Sequence, residues 1–102
     1  MSLDITLTQS VYSANITHNL GDMAREANIY EALWLAEEMG YCARDLINPL
    51  SKGLALLLSD PARFKKFDSP NGWGMYEHFV PFVANYLEAC IANPDAHINV
   101  NR

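Results

Sequence analysis

The chain has 102 residues, with seven Lys and Arg against twelve Asp and Glu, a formal net charge of −5, half its residues hydrophobic and 19% charged. That composition describes one globular domain spanning 1–102 with a core of modest size, and it excludes a disordered chain. It also lacks the basic footprint that non-specific nucleic-acid binding requires, so no nucleic-acid partner is expected.

Read in chain order, Ile5 and Leu7 alternate with Thr6 and Thr8, which predicts a strand over roughly 3–10 with one wet face. From 13 to 27 the period is helical, with Ile16, Leu20, Met23, Ala24 and Ala27 on one arc and Ser13 as N-cap. A shorter helix over 29–39 carries Leu33 and Trp34 and stops at Gly40.

A third helix covers 43–58 on the stripe Leu46, Ile47, Leu50, Leu54, Leu57 and Leu58. It is kinked at Pro49, or restarts there with Asn48 as cap. Asp60-Pro61 opens a short helix to Lys66, and a loop rich in Pro, Gly and Asn follows over 68–74. The last helix, 74–92, lines up Tyr76, Phe79, Val80, Val83, Leu87, Cys90 and Ile91. Ile98 and Val100 then alternate with His97, Asn99 and Asn101 in a closing strand. Two such short strands are marginal alone, so the chain ends are expected to pair and pack one face on the helices, with free edges open to pairing across a dimer. The expected fold class is α+β, about four helices against a two-stranded antiparallel sheet of the N- and C-terminal strands.

No run is long enough to span a membrane, the strongest being Leu54–Leu58, and no charged and apolar leader opens the chain, so a cytoplasmic protein is expected. Cys42 and Cys90 fit no zinc or redox spacing and read as reduced, inert thiols. His18, Asp22, His78 and His97 offer metal-ligand chemistry, but only His18 and Asp22 have a workable spacing; no metal, cofactor or catalytic residue is expected.

Two polar-aromatic stretches stand out: Asn15-Ile16-Thr17-His18-Asn19, and Asn71-Gly72-Trp73-Gly74-Met75-Tyr76. Asn15, His18 and Asn19 read either as a solvated helix face or as a hydrogen-bonding wall for a ligand. Trp73 reads either as a core plug above a Gly turn or, with Tyr76, as an aromatic wall over a helix N-terminus that favours anions. Arg102 is a frayed terminal charge or a guanidinium for an anionic group. Leu35, Leu56 and Leu58 leave an apolar surface that points to a homo-oligomer or a protein partner.

Asn15-Ile16-Thr17-His18-Asn19-Leu20 followed by Met23-Ala24, then Ile29-Tyr30-Glu31-Ala32-Leu33-Trp34, resembles a small family of uncharacterised phage and bacterial proteins. Asn71-Gly72-Trp73-Gly74 with Tyr76, and Tyr86-Leu87-Glu88-Ala89-Cys90, carry the same resemblance, which covers nearly the whole chain to Arg102. In that family the positions of Leu35, Ala36, Ala55, Leu56 and Leu58 tend to be charged or Pro. The resemblance implies a phage-type accessory protein, with evasion of host defences as one such role, and carries no known activity to transfer. The expected function is binding of a small ligand, an anion among the candidates, by Asn15, His18, Asn19, Trp73, Tyr76 and Arg102. The alternative is a protein-binding or self-assembling module.

Overall fold

A computed structural model describes residues 2–7 and 12–102. Within them the chain runs β1 (Ser2–Leu7), β2 (Tyr12–Thr17), a 3-10 turn (His18–Leu20), α1 (Gly21–Glu26), α2 (Tyr30–Trp34), α3 (Ala43–Ser59), α4 (Pro61–Lys65), α5 (Tyr76–Ala92) and β3 (Ile98–Asn101). The architecture is α+β. The chain ends do pair, Ile5 with Val100 and Leu7 with Ile98, but the antiparallel sheet has three strands in the order β2-β1-β3. The end of the expected first strand, 8–10, lies outside the described residues.

The added strand is a correction to the helix expected from residue 13. Tyr12, Ala14 and Ile16 alternate with Ser13, Asn15 and Thr17, and they register with Leu7, Ile5 and Leu3 on the core-facing side. β-Branched Ile16 and Thr17 suit this pleated surface better than a helix interior. Ser13 is therefore no cap. Thr17 opens the 3-10 turn, its Oγ1 accepting from the Asn19 N–H at 3.3 Å. Ile16, Leu20, Met23, Ala24 and Ala27 are all buried as their spacing suggests, though strand, turn and helix deliver them in succession.

The expected helix over 29–39 shortens to α2, and a series of turns leads to Gly40, which takes a positive φ of 74°. Those turns bring Glu37 and Glu38 to β3: Glu37 Oε1 accepts from the Val100 N–H at 2.7 Å, and Glu38 pairs with Arg102. α3 runs unbroken through Pro49. Its first N–H groups are satisfied from outside the helix, Ala43 by the Ala96 carbonyl and Arg44 by that of Pro94, both at 2.9 Å.

α3 and α5 pack on each other and close the core over the sheet. The α5 stripe is Phe79, Phe82, Val83, Tyr86 and Cys90, rotated from the expected one, so Ile91 is 56% exposed. On α3, Leu46, Leu50 and Leu57 are sealed, Ile47 and Leu54 half-buried, and Leu58 57% exposed. Leu35 and Leu56 are half-buried against the core, so of the three residues assigned to an apolar interface only Leu58 is open. Among the described residues no helix is long and apolar enough to cross a membrane.

Candidate functional site

The two polar-aromatic stretches meet. Asn19 lies in the 3-10 turn, and its Nδ2 donates to the Trp73 carbonyl at 2.9 Å. The two segments leave no room for a side chain between them: a Cβ on Gly74 would fall 2.8 Å from Asn19 Cβ and 3.2 Å from Thr17 Cγ2. Gly74 also holds a φ of +104°, which side chains disfavour, so both its conformation and its contact require glycine.

The loop that carries Trp73 is fixed by its own sequence. Asn71 Oδ1 accepts from Ser69 Oγ at 2.6 Å and from the Trp73 N–H at 3.0 Å, while the Gly72 N–H donates to the Ser69 carbonyl at 3.1 Å. This ordering is not that of a core plug: the Trp73 indole is 70% exposed. The sealed tryptophan is Trp34, 3% exposed, stacked on Tyr30 with ring centres 4.9 Å apart.

Between the stretches lies an open recess of about 890 Å³. Asn15, Ile16, Thr17 and His18 border one side and Asn71, Gly72 and Trp73 the other, with Ser2, His78 and Phe82 completing the wall. His18 is half-buried and stands edge-on to Trp34 at 6.0 Å; its Nε2 is buried and has no hydrogen-bond partner among the described residues. Among the described residues, no Asp, Glu, Lys or Arg lines the recess.

Two expected ligand residues lie elsewhere. Tyr76 turns its hydroxyl inward to donate to the Leu57 carbonyl at 2.7 Å. Arg102 sits beyond β3, against Glu38, and β1 separates that edge from β2. Asn19 is in the recess, but its amide nitrogen is spent on the loop. The α5 N-terminus, which suggested an anion, is occupied, since Asp68 Oδ1 accepts the Tyr76 N–H at 2.6 Å.

Of the four residues considered for a metal, His18 and His78 share the recess. Asp22 pairs with Arg25 at 3.0 Å, and His97 pairs with Cys42 in an isolated antiparallel bridge. Among the described residues no three His, Cys, Asp or Glu side chains converge as metal donors.

Ser2 and Phe82 do not stand out in the sequence, and His78 does so only as a metal-ligand candidate. Phe82 follows His78 by four positions, which puts them on one face of α5, a signal that the rotated stripe hid. Ser2 enters only through its pairing with Thr17.

No family model, curated protein or solved structure matches the chain.

Away from the recess, the core beneath β2 holds a second group of polar atoms. Tyr86 is fully buried, its ring stacked on that of Tyr12 at 6.0 Å, and its hydroxyl has no partner among the described residues. Burial raises the Tyr86 phenol above its ordinary value and pushes the Cys90 thiol up to about 11. Both groups are held neutral in the core.

Proposed function

We propose that this chain is a binding protein and that the recess between β2, the 3-10 turn and the 69–74 loop is its binding site. The observation that carries this reading is Trp73. A large apolar ring stays in water on a loop held by its own hydrogen bonds and by Asn19, beside an uncharged concave wall. Leaving an indole wet forgoes about 1.5–3 kcal/mol of burial. The ligand that recovers it lays a flat or apolar group on Trp73, beside the mostly buried Phe82, and takes hydrogen bonds from Asn15 or Thr17. A neutral ligand suits this wall better than the anion first expected, because Asp68 already holds the α5 N-terminus.

The test is a thermal-shift and calorimetric panel of nucleosides, sugars, heterocycles and short peptides on the wild type and Trp73→Ala. A ligand that raises the wild-type Tm and binds Trp73→Ala at least about tenfold more weakly supports the site. A ligand that binds both equally places binding elsewhere, and a panel without any shift counts against the reading.

A further inference from the structure

The two outer edges of the sheet are treated differently. β3 is covered. Cys42 bridges to His97 at its start, Glu37 Oε1 takes the outward N–H of Val100 at 2.7 Å, and Arg102 pairs with Glu38 beyond its end. A carboxylate on an edge N–H and a helix start bridged to the strand are devices that stop another strand from adding there.

β2 has none of these. Its six residues carry no charge and no proline, and their register with β1 runs unbroken from Tyr12 to Thr17 without a bulge. Among the described residues, no other loop or helix supplies a backbone partner to β2 from Tyr12 to Ile16.

The recess lies against that same edge. Asn15, Ile16 and Thr17 all border the recess, with Ser2 of β1 beside Thr17, which places it at the Thr17 end of β2, where a chain running along the edge would reach it. Trp73 and Phe82 line the same recess.

Resting on the reading of the recess as the binding site, we propose that its occupant is an extended polypeptide segment that adds to β2 as a fourth strand and lowers one apolar or aromatic side chain toward Trp73 and Phe82. Strand addition takes affinity from backbone hydrogen bonds and specificity from pockets for alternate side chains, and this edge offers both. Charge sets the partner's composition. The chain is at −5, Asp4 stands across from Asn15 on the sheet, and Glu77 adjoins His78, so the segment is neutral or basic and free of carboxylates.

The test uses the whole chain and synthetic eight-residue peptides, acetylated and amidated, alternating Thr with Val and bearing one central Leu, Phe or Trp. Two further sets carry N-methyl groups on alternate backbone nitrogens, in one phase or the other. Binding is read by calorimetry and by amide exchange of the labelled protein. The expected result is binding that one methylation phase weakens about tenfold or more and the other leaves unchanged, because only one phase removes ladder hydrogen bonds. Exchange at the outward amides of β2 slows, and Trp73→Ala weakens binding of the aromatic peptides most.

Equal effects of the two methylation phases overturn the proposal. So does a small molecule that occupies the recess when no peptide does, an outcome that leaves the recess reading standing. Neither class binding overturns both. Slowing of the same amides with protein concentration alone assigns the edge to a second copy of this chain, and the peptide proposal fails.

Discussion

Replacing Gly74 by Ala tests whether the contact between the two stretches holds the site together. The new methyl group would lie 2.8 Å from Asn19 Cβ, 3.2 Å from Thr17 Cγ2 and 3.4 Å from the Asn19 carbonyl carbon. Asn19 Cβ and the Asn19 carbonyl carbon move only with the turn, so the closest of these contacts is relieved only if the loop or the turn shifts. A side chain at φ +104° adds roughly 1–3 kcal/mol of strain, and overpacking adds about 1–3 kcal/mol. Restricting the unfolded chain returns about 0.4–1 kcal/mol. The expected loss is about 1–5 kcal/mol.

Gly72→Ala is the control. Its φ of +79° brings strain, but nothing lies within 4 Å of the added methyl. The difference between the two variants isolates the contact, at about 1–3 kcal/mol. Urea denaturation followed by circular dichroism measures both, with amide chemical shifts of Asn19 and Trp73 as the local reading. Equal destabilisation within about 0.5 kcal/mol, with Asn19 shifts unmoved in Gly74→Ala, would refute the account of a tight junction.

Two other outcomes follow from the same structure. The Cys90 thiol titrates near 11 in the fold and near 9 when exposed, so the fold is favoured fully below pH 9 and loses that advantage as pH rises through 11, by about 2–3 kcal/mol in all; urea midpoints from pH 8 to 10.5 measure it, and Cys90→Ala flattens the slope, leaving the part due to Tyr86. Asp68→Ala removes the acceptor of the Tyr76 N–H and is expected to cost about 0.5–2 kcal/mol, read from the urea midpoint, with no loss of the Asn19–Trp73 contact.

Much of the fold follows from local pattern. The alternation at 5–7 and 98–101 gives the paired chain ends, and the spacing of Leu46, Leu50 and Leu57 gives the buried side of α3. The misread segment, 13–17, is instructive. Ile16 belongs to a helical series with Leu20 and Met23 and also to an alternating series with Ala14 and Tyr12, and both put it in the core. Only the partner strand decides between them, and that is information from β1. The same limit applies to the site. Asn15, His18 and Trp73 stand out locally because their residue types are costly where they fall. Asp68 as the cap of α5 and Glu37 as the cover of β3 act across 8 and 63 positions, and no spacing rule reaches them. Tyr76 and Arg102 failed as recess residues for that reason, each drawn away by a distant carbonyl or carboxylate.

The opposite surroundings of the two indoles have an optical consequence. Trp34, sealed beside Tyr30 and His18, emits from an apolar, rigid setting, whereas Trp73 emits from water. Native emission is therefore a sum of a short-wavelength and a long-wavelength band. A collisional quencher dims the second first, while denaturant red-shifts mainly the first. The interior and the lip of the recess can be watched separately in one unlabelled sample.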